Sequence, residues 1–119
     1  MDIPFIKAKN KSTFHSKNSS AGRLEYELDL LQRHLFILKI IVNNEPIGII
    51  RLSNLSHFPQ HKVRYSLRIL EQEGFIKPSV DGAVTTKKFK EFIPTLNSTL
   101  TEIKKTIQEI KSSLHKKRK

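Results

Sequence analysis

The chain contains no cysteine and no tryptophan among its 119 residues. Disulfides, thiolate nucleophiles and cysteine-based zinc sites are therefore excluded, and the lack of thiols fits a reducing, cytoplasmic setting. Acid is scarce: 11 Asp and Glu face 22 Lys and Arg, for a formal charge of +11 and a pI near 10.1. Glycine is scarce as well, with four in all, and none builds a phosphate-cradling loop. The longest apolar run, residues 35–42, is broken by Lys39, far short of the ~18 residues that a membrane span needs. The N-terminus lacks the basic, apolar and small-residue segments of a secretory signal, so the Asn-x-Ser/Thr triplets at Asn10, Asn18 and Asn97 are read as chance. Paired carboxylates in an apolar setting and a Ser/His/Asp arrangement are missing too. His57 and His61 stand four apart across a helix break and read as surface histidines rather than metal ligands. The expectation is a protein that is not an enzyme, with no cofactor, no metal, no small-molecule ligand and no membrane.

What is present is a modest core and blocked charge. Hydrophobic residues make up 37%, with seven Phe, enough for one small domain with appendages. Residues 48–70 hold four bases and no acid, and residues 87–119 hold ten bases and three acids. Acid is concentrated in between, over residues 24–47 and 71–86. Basic blocks of this kind suit a polyanion, because each neutralised phosphate releases condensed counterions.

Periodicity places the elements. Residues 1–22 show no period of 2 or 3.6 and read as a mobile basic arm ending in Ser-Ser-Ala-Gly. From Leu24 the positions Leu24, Leu28, Leu31, Leu35, Leu38 and Val42 step by four and three, the stripe of an amphipathic helix. Glu25, Glu27 and Asp29 suit the dipole of its opening turns. Phe36, Ile37, Ile40 and Ile41 widen the stripe into a buried strut. Asn43 and Asn44, with left-handed cap propensity, and Pro46 end it. A short helix over residues 47–56 follows. Pro59 opens a third helix over residues 59–73, with Val63, Leu67 and Leu70 inward, and Gly74 caps it. Asp81-Gly82 between two short apolar runs predicts a hairpin. From residue 86 to 113 the last helix carries Phe89, Ile93, Leu96, Leu100, Ile103, Ile107, Ile110 and Leu114 at alternating steps of four and three. Eight apolar core sites in succession have a chance probability of roughly 0.002 at this composition. Pro94 is expected to kink this helix or split off a short first piece, and residues 115–119 form a frayed basic tail.

Within this order, Leu55-Ser-His-Phe-Pro59-Gln-His-Lys-Val63, Leu67-Arg-Ile-Leu70-Glu-Gln-Glu-Gly74-Phe-Ile76 and Val80-Asp-Gly-Ala-Val-Thr-Thr86 carry a resemblance. The segment resembles a winged helix-turn-helix, and more narrowly the small prokaryotic, archaeal-type winged-helix transcription regulators that dimerise through a C-terminal helix. The resemblance covers about residues 30–93. It implies a mainly α fold with a small β-hairpin wing and a long coiled-coil helix, divided into an arm at 1–22, a winged domain at 23–93 and a dimerisation helix with its tail at 94–119. It also implies that Leu67, Leu70, Glu71, Gly74, Phe75 and Ile76 end the recognition helix and enter the wing.

The chemistry of the third helix points the same way. With Val63, Leu67 and Leu70 inward, Gln60, His61, Arg64, Tyr65 and Arg68 project outward with no acid among them. Arg pairs with guanine edges and Gln with adenine in a major groove, and Tyr reaches a phosphate or a sugar. Arg51, Lys62, Lys77 and Lys87 are candidates for phosphate anchoring. The wing tip carries Asp81 and no Arg, which argues against base reading there. Leu96, Leu100, Ile103, Ile107, Ile110 and Leu114 are the expected dimer interface, since a small core is marginal alone. Lys90, Asn97, Lys104 and Lys111 at e positions would oppose one another in an antiparallel pair but meet Thr99 and Thr106 in a parallel one, favouring parallel. The expected function is a homodimeric, DNA-binding transcriptional regulator. The alternatives are an architectural chromatin protein with little sequence preference, and a winged-helix protein-interaction scaffold.

Overall fold

The structure is a computed structural model that describes residues 19–116. Most of the expected basic arm, residues 1–18 with Asn10 and Asn18, and the end of the tail, 117–119, lie outside the described residues. The chain is mainly helical: α1 (Ser20–Asn44), α2 (Ile49–Ser56), α3 (Gln60–Gln72), a two-stranded antiparallel hairpin of β1 (Ile76–Ser79) and β2 (Gly82–Thr85), and a long α4 (Lys87–His115). This is the expected fold class: mainly α, with a small β-hairpin and a long C-terminal helix. Two compact units meet between Thr86 and Lys87, so the boundary drawn at 93/94 falls inside α4. None of the described helices is long and apolar enough to cross a membrane.

In the first unit α1 begins earlier than expected. Ser19 is its N-cap, its hydroxyl accepting from the Gly22 amide at 2.9 Å, so residues 20–22 are helix rather than arm. The first turn consequently holds no acid. Glu25, Glu27 and Asp29 sit one to two turns on, where the dipole has largely decayed.

The core is built from Ile37, Leu38 and Ile41 of α1, Leu52 of α2, Val63 and Leu70 of α3, and Ile47, Phe75 and Ile76 from the connections and the wing. The face α1 buries is thus His34, Ile37, Leu38 and Ile41, at i, i+3, i+4 and i+7. Of the leucine stripe only Leu38 belongs to it: Leu24 is 50% exposed and Leu28 36%, while Leu31, Leu35 and Val42 are half-buried. Where a helix is apolar on most of its circumference, pattern alone cannot choose the buried quadrant, and the elements packed against it do.

The ends of the helices follow local chemistry. At the end of α1, Glu45 is extended (φ −66°, ψ 144°) and no Asn takes the left-handed conformation. Instead the Asn44 amide Nδ2 donates to the Ile40 carbonyl at 2.8 Å, satisfying one of the carbonyls that the last turn leaves open. Ile47 is not helical. It forms a bridge with Ala83, exchanging N–H···O bonds of 3.2 and 2.8 Å, so α2 starts two residues later than expected. Between α2 and α3, His57 adopts a left-handed φ of 65°, and the Ser53 hydroxyl donates to the Phe58 carbonyl at 2.7 Å. At the end of α3, Gly74 (φ 82°) donates to Glu71 and Phe75 donates to Leu70, both at 3.0 Å. These are the two bonds of a Schellman cap, with buried Phe75 and Leu70 as its accompanying apolar pair.

The hairpin turns one residue earlier than expected. Ser79 pairs with Gly82, so the two-residue loop is Val80-Asp81 and Gly82 is the first residue of β2. The positive φ that the turn needs falls on Gly82, at 132°. A Cβ there would overlap the Ile47 backbone, its carbonyl group above all.

In the second unit, α4 runs unbroken through Pro94, so no separate first helix forms. It buries none of its residues. Phe89, Phe92, Leu96, Ile103 and Ile107 are half-buried, while Ile93, Leu100, Ile110 and Leu114 are exposed, Leu114 to 76%. Of the eight heptad positions four are exposed and four half-buried, so the apolar line has no fully buried member within the described chain.

The Gly82–Ile47 contact yields a contrast between two glycines. Gly82→Ala is expected to destabilise the fold by about 2 kcal/mol or more, through steric overlap and an unfavourable φ. Gly48→Ala, at the N-cap of α2 where nothing lies within 4 Å and φ is −94°, loses glycine's cap preference but gains by restricting the unfolded chain, and is expected to stay within about 0.5 kcal/mol. Urea midpoints of the two variants measure this, and similar losses would show that the bridge to Ile47 does not constrain the wing.

Candidate nucleic-acid interface

α3 has two unlike faces because Val63, Ser66 and Leu70 recur at i, i+3 and i+7 and are buried. Gln60, His61, Arg64 and Arg68 are exposed on the opposite side, spread over about 12 Å of helix axis. Leu67, expected inward with Val63 and Leu70, is half-buried at the flank, and Ser66 takes the inward position instead. Lys62 is half-buried. The acid-free surface ends at Glu71, which is exposed three residues beyond Arg68. Pro59 is the N-cap and offers no side-chain acceptor, so the first amides of α3 carry no side-chain cap, and that end of the helix is a favourable place for an anion.

Tyr65 differs from the other four outward candidates. It is half-buried, its ring 5.7 Å from the His34 ring, with the Arg33 Cζ 5.9 Å and the Arg68 Cζ 5.6 Å from its centroid. Arg33 also lies 5.9 Å from the Phe58 centroid, and Phe58 meets Phe36 edge-on at 6.3 Å. These contacts fasten α1 to the turn before α3 and to α3 itself.

At the base of this cluster is a buried polar pair. Ser66 Oγ and His34 Nδ1 share a hydrogen bond of 2.7 Å, and Arg33 Nε donates to the same Ser66 Oγ at 3.4 Å. Burial, and secondarily the adjacent Arg33 charge, push the His34 pKa down to about 4. The imidazole is therefore neutral at pH 7, as a buried ring beside a guanidinium must be.

The remaining sequence candidates are dispersed. Arg51 is exposed on α2 and Lys77 on β1, while Lys87 is the exposed first residue of α4 in the second unit. The wing is held by the Glu45 carboxylate, which accepts from the Thr85 amide at 2.6 Å and from its hydroxyl at 3.0 Å. Its tip presents Val80, fully exposed, next to exposed Asp81. His57 and His61 are exposed, and no group of three His, Asp or Glu among the described residues could hold a metal ion.

Arg33, His34, Ser66 and Glu45 were not among the residues singled out by sequence. Ser66 had a signal, since it lies three residues from Val63 and four from Leu70 on the same helical face. Arg33 and His34 had none, because their partner is more than thirty residues away. Comparison with known proteins finds no family model that matches the chain and no curated protein significantly similar to it.

Two stability measurements follow from the His34–Ser66 pair. Ser66→Ala, which leaves the imidazole without its partner, is expected to cost about 1 to 3 kcal/mol in chemical denaturation. Because the folded His34 pKa lies below its unfolded value of 6.5, the unfolded chain takes up the proton first. Its contribution to stability is therefore complete above about pH 6.5 and is lost as pH falls towards 4. His34→Gln is expected to flatten that part of the pH–stability curve, and parallel curves for wild type and variant would refute the neutral buried imidazole.

Proposed function

We propose that the protein is a homodimeric DNA-binding transcriptional regulator that lays α3 in the major groove of two half-sites. The observation that carries this reading is the joint exposure of Gln60, His61, Arg64 and Arg68, acid-free, on a helix whose other face is locked into the core. Arg64 and Arg68 suit the paired acceptors of guanine, Gln60 those of adenine, and His61 can donate or accept at a base edge. Tyr65 sits at the border of that face, against α1. Arg51, Lys62, Lys77 and Lys87 supply charge for phosphates, which sets register without choosing sequence. Exposed Asp81 at the wing tip is unsuited to a polyanion and leaves sequence reading to α3.

The second copy is the partner for α4. Its uncovered apolar line at heptad spacing is what a two-stranded coiled coil buries, and the lysines at e favour the parallel arrangement. A two-fold symmetric dimer reading DNA through both copies of α3 implies a palindromic target, its half-sites one helical turn, ~34 Å, or a multiple of it apart.

A scaffold role is the second reading. It draws support from Ile50 and Leu55, which α2 leaves exposed at 64% and 43%. Selection from a random duplex pool separates the readings: an enriched palindrome supports the regulator, while tight, salt-steep binding without enrichment supports the architectural variant. No duplex affinity at low salt from an intact dimer supports the scaffold.

Arg64→Ala is expected to weaken binding to the selected site by about 1 to 3 kcal/mol and to relax preference at one base position, while Lys62→Ala weakens all duplexes alike. Equal losses on selected and random DNA from both variants would overturn that division. Ile107→Asp is expected to yield a monomer in analytical ultracentrifugation and to lower duplex affinity about tenfold or more, by loss of bivalent engagement. A dimer that survives this change would move the interface away from α4.

A further inference from the structure

A guanidinium that is half-buried between two aromatic rings is an expensive way to place a charge that has nothing to meet. Arg33 is such a group: Phe58 and Tyr65 flank it, and its Nε is held by Ser66. Among the described residues no carboxylate accepts from it. The hydrogen bond takes only one of its five N–H donors, and the planar fork of the remaining donors is what bidentate binding of a phosphate uses. Tyr65 carries a second guanidinium, Arg68, on the exposed side of α3. Two guanidiniums within 6 Å of one phenol ring bring positive charge to the seam where α1 meets α3, beside the acid-free face rather than on it.

We propose that Arg33 is a phosphate anchor of the duplex interface: a guanidinium on α1, pre-oriented by Phe58, Tyr65 and Ser66, that grips one backbone phosphodiester at the edge of the groove that α3 enters. The inference rests on the reading of α3 as the duplex-facing helix. It gives α1, whose role so far is to support α3, a direct contact with the ligand. Tyr65 becomes the platform that holds this anchor and Arg68 at a fixed separation. Rigid placement matters because a free arginine loses rotamer entropy on binding, and one already stacked and hydrogen-bonded loses less.

The test reads the salt dependence of binding to a random-sequence duplex. Each phosphate contact contributes about 0.9 to the slope of log K against log salt. Arg33→Gln, neutral but still able to donate to Ser66, is expected to lower that slope by about 0.9 and to weaken binding about tenfold at low salt, with its melting temperature confirming a folded protein. Lys39→Gln removes a charge from the same helix about 120° away, and is expected to leave the slope unchanged. A folded Arg33→Gln with the wild-type slope, or an equal loss from Lys39→Gln, would overturn the anchor. Wild-type protein provides an independent readout, since the Arg33 Nε–Hε resonance should shift as duplex is added, and an unmoved resonance would overturn the proposal whatever the variant does. If the wild-type chain binds no duplex, it is the function proposed above that fails, and that result is distinct from a bound duplex that ignores Arg33.

Discussion

The hydrogen bond between His34 and Ser66 sets how α3 lies on α1, and most of what the first unit presents outward depends on it. A neutral hydrogen bond adds only about 1 kcal/mol to stability, but either partner buried without the other costs more. The bond therefore acts as a register lock. Sliding or rotating α3 by a turn would bury an unmatched hydroxyl and an unmatched imidazole, whereas the surrounding Ile37, Leu38, Val63 and Leu70 would tolerate several packings. With Ser66 fixed inward, Arg64 and Arg68, two residues to either side, are turned out. Buried specificity and exposed chemistry are opposite sides of one helix.

The wing is tied to the same frame by different means. Ile47 pairs with Ala83 and so lends the hairpin a third strand of one residue, and the Glu45 carboxylate closes the end of β2 at Thr85. Both ties come from the short link between α1 and α2. The hairpin is too small to be stable alone. Its position is dictated by the helices, through contacts so close that only glycine fits at position 82. Arg33 of α1 is positioned by two rings and a serine. In the proposed reading, reader, wing and anchor are thus mounted on one strut, and the geometry offered to a duplex is set before binding.

Much of this was legible in residue order. Pro59 and Gly74 bracket α3 because one suits a helix start and the other the left-handed residue after a helix end. The four-and-three spacing of α4 survived Pro94, which a continuous helix accommodates. The misreadings share a cause. The leucine stripe of α1 marks a helix, but of its members only Leu38 reaches the core, beside Ile37 and Ile41 from the widened stripe. Ile47 reads as helix in its own segment, and the bridge that makes it extended joins it to Ala83, 36 residues on. The hairpin loop moved by one residue because Gly82 has to clear the Ile47 backbone, a neighbour that no local turn signal contains. Ser19 is a short-range signal: an N-cap hydroxyl three residues before the amide that donates to it.

Local chemistry and periodicity alone therefore determined the element types, their order, the outward position of Gln60, His61, Arg64 and Arg68, and the apolar line of α4. These are properties of one segment, fixed by 3.6-residue geometry and by where proline and glycine can sit. Only the tertiary structure decided which quadrant of α1 is buried, that His34 is neutral and paired with Ser66, that Tyr65 is held between Arg33 and Arg68, and that the wing hangs from Ile47. The pairs His34–Ser66, Arg33–Tyr65 and Ile47–Ala83 each join residues more than thirty positions apart, and contacts at that range are chosen by packing and by the need to pair buried polar groups, not by any pattern along the chain.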